Sequence, residues 1–141
     1  MPLQRRLFAG AVSVLLYFAA ASAQAVERRD LVEAILSRAL LERGAMLACA
    51  QKDNLKEDTD VLTLGWKKDL ADAEKLLREL RYAEDYIRTL GTRFALDIGI
   101  PQFSDQAALA RFCTMLGDWK KRYFQLMFTL PDVELKRALR R

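Results

Sequence analysis

Residues 73–94, AEKLLRELRYAEDYIRTLGTRF, carry the pattern that decides the fold. Ala73, Leu76, Leu80, Ala83, Ile87, Leu90 and Phe94 recur at alternating gaps of three and four, the spacing that lines one face of an α-helix. Leu109, Phe112, Leu116, Trp119, Tyr123, Leu126 and Leu130 repeat the same spacing further along. Seams of this period, widened by Leu70 and Leu77 in the first and by Phe124 and Met127 in the second, suit helices packed at shallow angles. No strand-like alternation competes with them.

An earlier helix is expected over roughly 28–53, apolar at Leu31, Val32, Ile35, Leu36, Ala39, Leu40, Met46, Leu47 and Ala50, with Asp30 as its N-cap and Asn54 as its stop. The polar stretch 52–60 connects it to a long second helix, from 61 or 66 to about 95, with Glu74–Arg78 and Glu84–Arg88 as supporting pairs on its outer face. Gly99, Pro101 and Ser104 mark a loop, with Ser104 the expected N-cap of a third helix, and Pro131-Asp132 opens a short terminal segment. The expected fold is all-α, a small antiparallel bundle of three long helices plus a short C-terminal helix.

The first 25 residues read differently from the rest. Arg5 and Arg6 precede an apolar run over 7–21 that ends in Ala21-Ser22-Ala23-Gln24-Ala25, small residues at the positions a signal peptidase requires. The run is about 15 residues, short of the ~20 of a spanning helix. We therefore expect a cleaved signal peptide over 1–25, cut after Ala23 or Ala25, and one helical domain over 26–141. Export follows, to the periplasm if the source is Gram-negative.

Export alters the charge balance and the reading of the cysteines. The chain has 23 Lys and Arg against 19 Asp and Glu; without Arg5 and Arg6 this becomes 21 against 19, too even for a nucleic-acid footprint. In an oxidising compartment Cys49 and Cys113 are expected to form a disulfide. That expectation collides with a straight bundle. In an up-down-up arrangement ~43 Å tall, the rise per residue leaves ~20 Å between two residues whose Cα atoms must approach within ~7 Å. Either the second helix bends or breaks, with Gly65 and Gly91 the candidate sites, or the third helix crosses steeply, or the bond joins two chains. A bent or crossing arrangement with an intramolecular bond is the preferred reading.

The chain contains no His, and the 26–141 segment holds only Ser37 and Ser104 as serine hydroxyls. Catalytic triads and His-ligated haem are excluded, and most zinc chemistry with them. No catalytic, cofactor-binding or metal-ligating residue is assigned, no cofactor is expected, and the chain is read as not an enzyme. Asp69 with Asp72 and Glu84 with Asp97 could form a glycosidase-like carboxylate pair; at helical spacing beside Lys and Arg, a solvated face accounts for them better.

What remains is binding. Trp119, Lys120, Lys121, Arg122 and Tyr123, together with Lys136, Arg137, Arg140 and Arg141 of the tail, could form a basic, aromatic-edged surface. Against this, the seam places Trp119 and Tyr123 in the core with the basic side chains reaching outward. Trp66, Tyr82 and Tyr86 could form an aromatic patch on the second helix, but Tyr82 and Tyr86 at i,i+4 beside a bundle interface are more often packing. The leading expectation is a protein that binds another protein as a chaperone, inhibitor, immunity or accessory factor. The alternative is a membrane-surface or small-ligand binder.

Overall fold

A computed structural model describes the backbone of residues 5–140 and the side chains of residues 21–140. Most of the apolar run expected as a signal peptide lies outside the residues whose side chains are described. The chain divides into two compact units, Met1–Glu33 and Ala34–Arg141. Among the described residues every regular element is helical: α1 (Arg5–Lys52), α2 (Lys56–Glu79), α3 (Glu84–Arg93), α4 (Gln106–Leu116), α5 (Trp119–Gln125) and α6 (Pro131–Leu139), with 3-10 turns at Leu96–Gly99 and Leu126–Phe128. Among the residues whose side chains are described, 21–140, no helix is long and apolar enough to cross a membrane.

The first helix ends where its sequence says it should, and begins elsewhere. Asn54 takes a positive φ of 54°, Leu55 N–H donates to the Ala50 carbonyl (2.9 Å) and Asn54 N–H to that of Gln51 (3.1 Å). This is the double bond of a Schellman stop, with asparagine in the left-handed position it tolerates better than most residues. At the other end α1 runs through Asp30, which lies inside the helix and caps nothing.

Two of the three long helices expected from the seams are broken. Between α2 and α3 the chain turns at Arg81, φ 62°, where Tyr82 N–H donates to the Leu77 carbonyl and Arg81 N–H to that of Arg78, both at 3.0 Å. The turn is a second Schellman stop, built on arginine. It folds α2 and α3 into a hairpin in which Arg78 pairs with Glu84 and the Trp66 indole donates to the Phe94 carbonyl (2.7 Å). Leu70, Ala73, Leu76 and Leu77 on one arm and Tyr86, Ile87 and Leu90 on the other are buried. Each arm buries its own apolar stripe, while the two members of the three-four series at the turn, Leu80 and Ala83, are half-buried and exposed. Gly65 and Gly91, the expected break sites, lie inside α2 and α3. On the outer face Arg78 bonds Glu84 as well as Glu74, and Arg88 pairs with Asp85 instead of Glu84.

The third helix breaks at Gly117, whose φ of 72° and ψ of −141° suit a residue without a side chain. Asp105, one residue past the expected Ser104, caps α4 by accepting from Ala108 N–H at 2.7 Å. Asp118 restarts the chain as the cap of α5, accepting from Lys121 N–H at 3.1 Å. Pro131 then occupies the first turn of α6, where its missing N–H costs nothing. α6 packs along α2, burying Leu135 and Leu139.

These breaks reconcile the fold with the disulfide. The hairpin returns the chain to α1 at the 3-10 turn, where Gly99 meets Gly44 backbone to backbone. Residues 100–109 then lie beside the last turns of α1, with Ile100, Pro101, Phe103 and Leu109 near Ala48 and Lys52. Cys49 and Cys113 are bonded within the chain, Cα atoms 5.6 Å apart. Closing a loop over a separation of 64 residues stabilises the fold by about 4 kcal/mol in the chain-entropy account.

Candidate functional site

The expected basic surface is divided by the fold. Trp119 is 9% exposed and belongs to the core. Lys120 reaches Asp58 at the start of α2 (3.2 Å) and lies over the Trp119 ring, 5.8 Å from its centre. Tyr123 is half-buried, its hydroxyl 2.8 Å from where a side chain on Gly65 would begin, and Lys121 and Arg122 are exposed. Lys136 and Arg140 instead stand beside Asp72, Glu79 and Asp132 toward the other end of α2, and Arg137 beside Ile35, Arg38 and Glu134. Asp58 and Asp72 are fourteen residues apart on one helix, ~21 Å at its rise per residue, so α5 and α6 present two basic groups and no single face. Arg141 lies outside the described residues.

The aromatic patch divides in the same way. Tyr82 and Tyr86 stack at the hairpin turn with ring centres 6.0 Å apart, while Trp66 lies nearer the open end beside Phe94. Of the four carboxylates weighed for catalysis, Asp69 and Asp72 share one turn of α2 but pair with different cations, Arg43 and Lys68, while Glu84 pairs with Arg78 and Asp97 is exposed on the 3-10 turn. Among the described residues no group of three Cys, Asp or Glu side chains comes together around a metal-sized point.

A charged cluster that the sequence did not announce sits behind these residues. Arg43 on α1 is 2% exposed. Its Nε donates to the Asp69 carboxylate (3.1 Å), its Nη1 to the Ala39 carbonyl (3.1 Å), and its guanidinium lies 5.3 Å from the centre of the Trp66 ring. Burial raises the Asp69 carboxyl above the ordinary carboxylate value, against the opposing pull of Arg43. The Tyr123 phenol is raised as well, by burial first and then by the Asp69 charge. The Arg43 guanidinium and the Trp66 indole each have their acceptors, and the Arg43–Asp69 pair clamps α1 to α2.

On the other side of Trp66 a cleft of about 590 Å³ opens between α1, the α2–α3 hairpin and the 3-10 turn. Leu47, Trp66, Leu70, Leu96 and Ile100 form its apolar floor, with Gln51, Lys67, Glu74 and Asp97 at its polar margins. Its size and mixed lining are those of a ligand or peptide groove. The sequence concealed it because its floor is the same seam that packs the hairpin; Ala71 and Gly91, too small to close the gap, were the available signal. No protein-family model, curated protein or solved structure matches this chain.

Proposed function

We propose that this chain is an exported protein that acts by binding another protein, taking an amphipathic helix or extended segment of that partner into the cleft over Trp66. The cleft carries the reading: it joins an apolar floor to margins of both charge signs, the surface that apolar anchors at helical spacing fill. The intramolecular Cys49–Cys113 bond favours an oxidising compartment, periplasmic if the source is Gram-negative. Chaperone, inhibitor, immunity and accessory roles all use such a surface. None requires a reactive group, and the chain is read as a binding protein and not an enzyme.

The test is crosslinking capture with the tagged full chain from the envelope of its own cells, beside two variants that fill the cleft from exposed positions, Thr63→Arg and Ala71→Arg. One stoichiometric protein is expected with the parent chain and none with either variant. Equal capture by all three, or no capture by folded parent chain, removes the reading.

A further inference from the structure

A second surface lies away from the cleft, and its chemistry is different. Phe124, Met127 and Phe128 are 69%, 69% and 81% exposed, although the sequence seam places Phe124 and Met127 beside the core. Among the described residues no neighbouring element covers them. Once α5 starts afresh at Asp118, Trp119, Tyr123 and Leu126 face inward, and Lys121, Phe124 and Phe128, spaced by three and four, face the opposite way. Val61 and Leu64, both exposed, stand on α2 beside Asp58 and Gly65, the residues that Lys120 and Tyr123 contact.

We infer that this edge of α5 and the turn after it is a peripheral docking surface for an anionic lipid bilayer. Two large rings and a thioether projecting from a short helix form an apolar wedge of the depth that reaches the boundary between headgroups and acyl chains. The charges beside the wedge complement an anionic surface. Lys121 and Arg122 are exposed within three residues of Phe124, the Asp58 carboxylate is paired with Lys120, and the one carboxylate of this segment, Asp118, lies at the start of α5 where it accepts the Lys121 amide. A protein partner would match the apolar area equally well, but it would not by itself call for basic residues beside the wedge. This inference is independent of the cleft, whose α2 lining, Thr63, Trp66, Lys67 and Leu70, lies on a different face of that helix from Asp58 and Gly65.

The experiment is co-sedimentation of the full chain with vesicles of phosphatidylcholine alone and of equal parts phosphatidylcholine and phosphatidylglycerol, at low and high salt. Binding is expected only to the anionic vesicles and should weaken with salt. Phe124→Ser with Phe128→Ser should reduce it about a hundredfold, and Lys121→Glu with Arg122→Glu more than tenfold. All four side chains are exposed, so unchanged melting of both double variants confirms an intact fold. Three outcomes overturn the inference: no binding by folded parent chain, equal binding by the Phe double variant, or crosslinking capture of a protein that this variant loses while vesicle binding is unaffected. Variants at Thr63 and Ala71 should leave vesicle binding unchanged, so this failure and that of the cleft reading are separable.

Discussion

Gly44 on α1 and Gly99 in the 3-10 turn touch through their backbones: a Cβ built on Gly44 would stand 1.9 Å from the Gly99 carbonyl oxygen, and one on Gly99 would stand 2.7 Å from the Leu40 carbonyl oxygen. Two backbones can approach this closely only where neither carries a side chain. The contact anchors the return of the hairpin to α1, five residues before Cys49.

Gly44→Ala must therefore push the turn away from the helix, and backbone atoms yield less readily than a side chain. We expect a loss of about 2–3 kcal/mol, read as a lower denaturant midpoint. Gly91→Ala is the control. It lies within α3 with only a Glu74 oxygen nearby, 3.7 Å from the new Cβ, so it should stabilise by up to ~1 kcal/mol from helix propensity. Similar behaviour of the two variants would refute the packing account.

Arg81 occupies a left-handed position that costs a side-chain-bearing residue roughly 1–2 kcal/mol. Arg81→Gly should relieve part of that cost and raise stability by about 0.5–1 kcal/mol, the remainder being offset by the greater freedom of glycine in the unfolded chain. The midpoint of thermal unfolding reports it. An unchanged or lowered midpoint would mean that the arginine side chain contributes more at the turn than its backbone costs.

Arg43 is buried and its partner Asp69, on the other helix, is half-buried, so removing the arginine strands a partly desolvated carboxylate. Arg43→Met alone should cost about 3–5 kcal/mol, and Arg43→Met with Asp69→Leu should recover most of it. A double variant as unstable as the single one would show that the ion pair contributes more than its desolvation takes away.

The same carboxyl has a readable pH dependence. The folded chain holds the Asp69 proton to higher pH than the unfolded chain does, so folded molecules bind more protons just above the ordinary Asp value of 3.8. Its contribution to stability is full below that value and is lost as pH rises through the raised folded pKa. Relative to Asp69→Asn, the parent chain should lose melting temperature across this window, the opposite of a carboxylate stabilised by its partner. Glu84, held below its usual value first by its hydrogen bond to Arg78, should behave in the opposite sense and lose its contribution as pH falls.

Replacing both cysteines by serine should lower stability by about 4 kcal/mol in non-reducing buffer. The same variant in reducing buffer should match the reduced parent chain. Failure to match would point to damage from the serines themselves.

Much of this molecule is legible from residue order alone. Helical class, the stop at Asn54, the start at Pro131 and the Cys49–Cys113 bond all follow from short-range rules: spacing, backbone preference at caps, and the redox tendency of paired cysteines. The conflict between that bond and a straight bundle left a bent or broken second helix, a steeply crossing third helix or a bond between chains; the chain breaks both helices, at neither Gly65 nor Gly91. Where it breaks was decided only in three dimensions. Arg81 has no turn signature, and its left-handed backbone is sustained by the packing of Tyr86, Ile87 and Leu90 against α2, which outweighs a local cost. The site followed the same logic. The three-four spacing says which residues are apolar but not which face a neighbour will cover. Trp119 and Leu126 hold the inward positions their spacing implies, but Phe124 and Phe128 were left uncovered, and small side chains beside Trp66 left a cleft where the seam alone implied contact. Periodicity is a property of one helix, whereas a groove or an exposed ring depends on where the next helix is placed.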